Sequence, residues 1–393
     1  MSSTRPPFIG IVATHIAPAR GFGGIAEATA RMAKAWAEKG HGIILCAGDG
    51  SEGQPLVASD IDLPATASVH LYHAYGKPGF AFGHGAVPAL LRTCFKADIV
   101  YISGVATWPT SLAGLLTRLL RRPYVLAVHG GMMEGHVDFI RHHKPLKWLF
   151  YRLITLPTLR RARLVHVTAE LEAAGVRLLA PEVPLAIVPN AVDLAAWSLL
   201  PPRPSGPGRV LAYVGRLSPE KGILPFLESW MKVRRPDDRL LIAGSGQGPY
   251  AAAVAALAAQ AGGAVEMPGY LPAAGVRDLL ARADMLVLPS GLGQGGLREN
   301  FGIAVIEAMA SGRSVLVSRG MAWDDAANHG YGLVFDPTPA GTEAGIAAAA
   351  ALKPDQLATM GQAARREVEN RYGSGQVAAQ LWDAIDRVVN AAP

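Results

Sequence analysis

Arg298-Glu299-Asn300-Phe301-Gly302-Ile303-Ala304-Val305-Ile306-Glu307-Ala308-Met309-Ala310-Ser311-Gly312 is the stretch around which this chain is organised. Upstream lies the apolar run Met285-Leu286-Val287-Leu288-Pro289-Ser290, then a glycine-rich loop ending at Gly296. Downstream comes a second apolar run, Ser314-Val315-Leu316-Val317-Ser318. Strand, loop, helix, strand is the pattern of a parallel sheet, whose ligands bind at the carboxyl ends of the strands. Asn300 reads as the helix N-cap, which leaves Glu299 in the loop and puts Glu307 in the second turn. The amides around Phe301 to Ile303 then face the crevice unpaired, as an anion site requires. A diphosphate would find donors there, and hydroxyls on either side of it would find the two carboxylates. Spacing alone leaves a second reading open, in which both glutamates are ordinary surface residues on a good helix former.

The stretch resembles the carboxylate motif of the retaining GT-B glycosyltransferases of family 4, roughly E-x-F-G-x-x-x-x-E-A-M-A-x-G. Glu299, Phe301, Gly302, Glu307, Ala308, Met309, Ala310 and Gly312 carry the match.

Composition bounds the reading. A chain of 393 residues exceeds a single core, and half of it is hydrophobic with 44 glycines, which suits a soluble α/β protein of two domains. No apolar run approaches the ~20 residues of a membrane-spanning helix. Met1 to Pro7 is short and polar, so no signal peptide is expected. Cys46 and Cys94 lie in apolar surroundings and read as buried thiols rather than a disulfide or a metal pair. The net charge of +6 permits acidic ligands without demanding them.

The first half alternates strand and helix signals. Phe8-Ile9-Gly10-Ile11-Val12-Ala13 is the opening strand, followed by Arg20-Gly21-Phe22-Gly23-Gly24 and a helix from Ile25 to Lys39. Gly23 and Gly24 allow close backbone approach to a ligand, or simply a tight turn. The pattern is neither G-x-G-x-x-G nor a P-loop, which argues against nicotinamide and ATPase readings. Further strands read at Gly42 to Ala47, Val69 to Tyr75, Asp98 to Ser103 and Tyr124 to His129. His129 stands at a strand end before Gly130-Gly131, as a site residue or a structural histidine. Arg141 to Arg163 has seven basic residues and no acid, interleaved with aromatic and apolar ones. It reads as a basic helix that lies on an anionic membrane surface or buries its apolar face in the domain. No nucleic-acid-binding signature accompanies it. Pro201-Pro202-Arg203-Pro204-Ser205-Gly206-Pro207-Gly208 is the clearest linker. The expected division is therefore 1–200, 201–372 and a terminal helix over 373–393.

The second half repeats the alternation. Arg209 to Gly215 is a strand ending in Arg216-Leu217-Ser218-Pro219-Glu220-Lys221-Gly222, where two cations bracket a turn and can converge on a diphosphate. This run is similar to the family's G-R-L-x-x-x-K-G signature, and Leu240 to Gly246 to its A-G-x-G element. Gly312-Arg313-Ser314 stands where the family has G-x-P before the last core strand. Pro189-Asn190-Ala191-Val192-Asp193 stands where it has P-N-G-V-D, with Ala191 replacing glycine.

The resemblance implies two Rossmann-like domains facing across a cleft, with the C-terminal helix crossing back to the first. It implies a hexosyl transfer with retention from a UDP- or GDP-sugar to a glycan or lipid-linked acceptor, in bacterial polysaccharide or glycolipid assembly at the cytoplasmic face of a membrane. It puts His129, Glu299, Arg216 and Lys221 in catalytic positions. It assigns donor contacts to Gly23, Gly24, Gly244, Gly269, Tyr270, Asn300, Phe301, Gly302, Ile303 and Glu307, with sugar selectivity in Gly291 to Arg298. No metal or other cofactor is expected, since no His, Cys and Asp cluster has ligand spacing. A nucleotide-sugar 2-epimerase and a non-catalytic sugar-nucleotide-binding subunit remain as alternatives.

Overall fold

The computed structural model describes residues 6–19, 23–50, 54–75, 77, 79–204, 206–292 and 298–390. They fall into two compact units, Met1–Ala191 with Ser374–Pro393, and Val192–Gly373.

In the first unit the strands are β1 (Phe8–Ala13), β2 (Gly42–Gly48), β3 (Ser68–Tyr72), β4 (Ile99–Ser103), β5 (Tyr124–Ala127), β6 (Leu164–Val167) and β7 (Leu185–Ile187). Among the described residues they form one sheet in the order β3-β2-β1-β4-β5-β6-β7, every pair parallel. The inner strands are apolar without alternation because helices cover both faces of a parallel sheet. One face packs Leu90, Val100 and Leu126, the other Ile11, Trp36 and Leu45. The terminal helix Ser374–Asn390 packs on helix Gly24–Glu38, where Val377, Ala378, Leu381 and Ile385 join that second cluster. The Trp36 indole donates to the Ala378 carbonyl at 3.2 Å. The last helix therefore belongs to the first unit, as the resemblance implies.

The second unit repeats the plan with β8 (Val210–Val214), β9 (Arg239–Ala243), β10 (Val265–Gly269), β11 (Met285–Leu288), β12 (Ser314–Ser318) and β13 (Gly332–Phe335), in the order β10-β9-β8-β11-β12-β13. In both sheets the strand order reverses beside the unit's first strand, between β1 and β4 and between β8 and β11. Open α/β sheets bind ligands at the carboxyl ends around such a reversal.

Three expectations are corrected. Ser314–Ser318 is not the last core strand, because β13 pairs with it at the sheet edge. The stretch from Arg141 to Arg163 is not one basic helix. It comprises the end of helix Glu134–His143, a break at Lys144 and a continuous helix over 145–160 that takes π geometry at Tyr151–Thr155, with Tyr151, Leu156 and Leu159 buried in the first unit's core. The unit boundary falls between Ala191 and Val192 rather than after residue 200. Trp197 is already buried in the second unit, and the Arg203 guanidinium within the proline-rich stretch donates to Asp284 at 2.9 Å. A segment anchored by packing and an ion pair cannot be a free linker.

Asp284 is the hub of that anchor. It also accepts from the Val210 amide at 2.8 Å and lies 3.4 Å from Arg209, whose side chain is 9% exposed. Asp284→Ala strands two largely buried guanidinium groups and is expected to cost about 3–5 kcal/mol. Urea denaturation checks this, and an unchanged midpoint would show that the linker is not anchored through Asp284.

Candidate donor site

In the second unit the site is built on turns at the strand ends. After β8 the chain passes Gly215 and Arg216 into the 3-10 turn Pro219–Lys221. Gly222 follows with φ 69°, and a Cβ there would lie 1.9 Å from the Pro289 carbonyl oxygen, so only glycine lets this turn rest on the end of β11. Ser290, fully buried after β11, donates its hydroxyl to the Glu220 carbonyl at 2.7 Å and accepts the Glu299 amide at 2.6 Å. This one hydroxyl ties together the two turns that carry the charges, and Lys221 Nζ consequently forms an ion pair with the Glu299 carboxylate. Burial alone would raise the Glu299 pKa, but the charge and hydrogen bond of Lys221, the Arg216 charge and the Gly302 amide together hold it below its ordinary value.

Arg216 is the exposed partner in the cluster. Its guanidinium lies 3.2 Å from Glu220, which also accepts from the Ser218 hydroxyl at 2.7 Å. Tyr213 donates to the Arg216 carbonyl at 2.6 Å and fixes the turn from inside. Gly244 closes the neighbouring strand ends. Its amide donates to the Gly269 carbonyl at 2.7 Å, and a Cβ would lie 1.8 Å from the Gly215 carbonyl oxygen. Tyr270, next in the chain, is exposed.

Helix Ile303–Ala310 is capped differently from the expectation. Gly302, at φ 76° and ψ 83°, is the N-cap in place of Asn300, which is buried one turn earlier. Gly302 takes the left-handed region that only glycine adopts freely, a Cβ there would lie 2.6 Å from Leu288, and its amide donates a hydrogen bond to Glu299. That amide is therefore engaged, and the donors that remain for an anion lie at the helix start, at Ile303 and Ala304. Glu307 sits on the second turn, half-buried. Phe301 is braced by the fully buried Trp323, whose indole donates to the Phe301 carbonyl. Of the loop from Gly291 to Arg298, residues 293–297 lie outside the described residues, as do Arg20 to Phe22 of the first glycine loop.

The first unit has its own polar group at the ends of β4 and β5. His129 adopts φ 44° and is followed by Gly130 at φ 82°, a turn held by the buried Glu172, which accepts the Gly130 amide and, at 3.1 Å, the Thr168 amide. Gly23, at φ 70° with open space around its Cβ position, caps the helix that Gly24 begins.

Hydrogen bonds fix the His129 tautomer. The Thr29 hydroxyl lies 2.8 Å from the Ile25 carbonyl, which can only accept, so Thr29 donates there. Ser103, 2.6 Å away, must then donate to Thr29. With its single proton used, Ser103 accepts from His129 Nε2–H at 2.9 Å. His129 Nδ1 is thereby left as a lone-pair acceptor. Burial, reinforced by the nearby His166, lowers the His129 pKa to about 3, and burial lowers that of His166 to about 4.

Sequence reasoning named Arg216, Lys221, Glu299 and Glu307 but not the residues that position them. Ser290, Glu220 and Trp323 organise the donor-side turns, and Thr29, Ser103 and Glu172 organise His129. A serine at the end of a buried strand was the one available signal for Ser290. Among the described residues no three His, Cys, Asp or Glu side chains are placed to hold a metal ion, and no helix is long and apolar enough to cross a membrane.

Two parallel-sheet Rossmann-like units with this strand order define the GT-B class. The model of the group 1 glycosyl transferases matches residues 202–367, and that of the glycosyl transferase 4-like domain matches residues 23–191. The chain belongs to this glycosyltransferase family. It is 25% identical over 303 residues to an Escherichia coli K12 protein assigned to colanic acid biosynthesis as a glycosyltransferase, covering 75% of this chain and 72% of that protein. It is 28% identical over 236 residues to the GDP-mannose:cellobiosyl-diphosphopolyprenol alpha-mannosyltransferase of Xanthomonas campestris, covering 59% of this chain and 58% of that enzyme. Its fold matches the sucrose-phosphate synthase of Thermosynechococcus elongatus with a TM-score of 0.74 at 17% identity, covering 98% of this chain and all of that one (100%).

The relay predicts that nitrogen NMR will find His129 neutral and protonated at Nε2 from pH 8 to pH 5. Ser103→Ala should release the tautomer ratio, and an Nδ1-protonated ring in the wild type would refute the assignment. Because the folded pKa is depressed, the stabilisation from neutral His129 is complete above about pH 6.5. It is lost as the pH falls through that value toward about 3.

Proposed function

We propose that the chain moves a hexosyl group, with retention of anomeric configuration, from a nucleotide-diphosphate sugar to a glycan or lipid-linked acceptor. The observation that carries this reading is the cluster of Lys221, Glu299 and Arg216 at the β8–β11 reversal, set before a helix that bears Glu307. A departing nucleoside diphosphate develops negative charge. Arg216, Lys221 and the amides at Ile303 and Ala304 are suited to stabilise it without a metal ion. Lys221 has three donors, so it can hold Glu299 and a phosphate oxygen together. Glu299, kept ionised, accepts sugar hydroxyls, and Glu307 accepts ribose hydroxyls. His129, neutral at working pH, accepts a hydrogen bond from a hydroxyl at Nδ1 rather than acting as a charged acid. No side chain is assigned as a nucleophile; donor phosphate assists removal of the acceptor's proton. The Xanthomonas relative, whose name specifies a GDP-mannose donor and a polyprenol-linked acceptor, supports this donor and acceptor class.

Thermal unfolding against UDP, GDP, ADP and their sugars tests the reading. One nucleotide should stabilise the native chain, by about 2.7 kcal/mol at a hundredfold excess over Kd. Lys221→Ala and Glu307→Ala should each weaken that response, and Lys221→Ala should lower kcat by roughly 10²–10³. A panel without any stabilising nucleotide, or variants that respond like wild type, would remove the donor site from this unit.

A lipid-linked acceptor also calls for a membrane surface, and we assign that contact to the helix over 145–160 of the first unit. Leu146, Leu149 and Leu153 are 83%, 50% and 64% exposed, beside the cations Lys144, Lys147 and Arg152. Exposed leucines flanked by cations suit an anionic bilayer. The chain should float with phosphatidylglycerol vesicles, and Leu146→Asp with Leu149→Asp should leave it in the aqueous fraction. Equal flotation of both proteins would exclude this surface.

A further inference from the structure

At the amino-terminal ends of β5 and β6, the opposite end of the strands from His129, lies a hollow of about 710 Å³. Arg118, Arg121, Arg122, Arg161 and Arg163 line it, and among the described residues no acidic one does. Three chain segments bring them together. Arg118 is in the last turn of helix Trp108–Leu119, Arg121 and Arg122 follow it, and Arg161 and Arg163 lead into β6. The start of β5 joins these segments. The Arg163 amide donates to the Tyr124 carbonyl at 2.9 Å, and the Tyr124 hydroxyl donates to the Thr158 carbonyl at 2.7 Å. Burial raises the Tyr124 pKa, and the charges of Arg118 and Arg161 both lower it, to a balance of about 12. Two guanidinium groups from different segments therefore bear on one ring.

Arg122 is tied by its guanidinium to the Phe95 carbonyl at 3.0 Å. Among the described residues, Arg118, Arg121, Arg161 and Arg163 make no ion pair or side-chain hydrogen bond. Four unneutralised guanidinium groups around one hollow repel one another, and a multiply charged anion removes that cost. Arg121 moreover occupies φ 53°, a backbone position where glycine is the usual residue.

We propose that this hollow is a second anion site, distinct from the donor site, that binds a phosphate-bearing ligand. Planar guanidinium forks match phosphate oxygens pairwise, and several together select a diphosphate or phosphate ester over a single carboxylate. Leu115 and Leu119, 45% and 70% exposed at the rim, give the ligand's organic portion an apolar seat. The hollow exceeds what a bare phosphate fills and falls within the range of small-molecule sites. A free phosphorylated metabolite and a phospholipid headgroup share this chemistry.

Equilibrium dialysis of the full chain with labelled pyrophosphate tests the site. Lys221→Ala, which weakens the proposed donor site, should retain one binding equivalent. Adding Arg118→Ala and Arg161→Ala should abolish it, with the unfolding midpoint unchanged because both side chains reach solvent. Arg118→Lys with Arg161→Lys should recover part of the affinity. Phosphatidylglycerol vesicles separate the sources: displacement of pyrophosphate from the Lys221→Ala chain identifies a headgroup ligand, and continued retention identifies a soluble one. Equal binding by the arginine-to-alanine variant and its parent would overturn the proposal. So would a Lys221→Ala chain that binds none. The donor-site reading fails separately, when Lys221→Ala leaves wild-type stoichiometry intact.

Discussion

The donor-side arrangement depends on the buried hydroxyl of Ser290. It donates to the Glu220 carbonyl and accepts the Glu299 amide, and so locks the turn after β8 to the turn after β11. Without that lock Lys221 and Glu299, 78 residues apart, have no reason to meet. Once they meet, the carboxylate stays ionised although burial opposes it, because Lys221, Arg216 and the Gly302 amide all favour the charged form. A partly buried ion pair of this kind is weak evidence for stability, since desolvation consumes much of its attraction. Its value lies in fixing two charges of opposite sign beside each other at a strand end before a ligand arrives.

The sequence and the structure agree most closely where a pattern repeats. Parallel strands buried on both faces announced themselves as unbroken apolar runs. The alternation also put Arg216, Lys221 and Glu299 at strand ends and Glu307 in the second turn of the following helix, where the structure has them. Asn300 is a good N-cap by residue type, but the cap falls two residues on, at Gly302. Elsewhere legibility failed where one tertiary contact overrode a local rule. Pro201 to Gly208 has a linker's composition, yet Arg203 finds Asp284, 81 residues away. Arg141 to Arg163 has the charge of one surface helix, but Tyr151, Leu156 and Leu159 are drawn into the core, and the helix widens to π geometry there. These last two cases rest on partners distant in sequence, which no local window contains, whereas the shifted cap is local.

Arg313, the middle residue of the run that stands where the family has G-x-P, makes another such distant contact. Arg313 is 4% exposed, and its guanidinium donates to the Leu280 carbonyl at 2.8 Å and the Pro201 carbonyl at 2.7 Å. A buried arginine so bonded joins helix Ala273–Ala281 to the segment that enters the second unit, beside the Arg203–Asp284 anchor. The departure from G-x-P itself falls on Ser314, the buried first residue of β12, and nothing in the structure explains that substitution.

His129 extends the argument from position to proton. A histidine at a strand end carries no information about which nitrogen holds hydrogen, and the answer lies three residues away in space. The Ile25 carbonyl cannot donate, so Thr29 must. Ser103 must then donate to Thr29, and His129 must donate through Nε2. His166 is settled independently, with Nε2 donating to the Val188 carbonyl at 2.8 Å and Nδ1 accepting from Tyr101 at 2.9 Å. Two neighbouring imidazoles, both neutral and each with one assigned proton, bring no positive charge to this end of the sheet. In the proposed function His129 then orients a hydroxyl without attracting phosphate, which is left to Arg216 and Lys221 of the second unit.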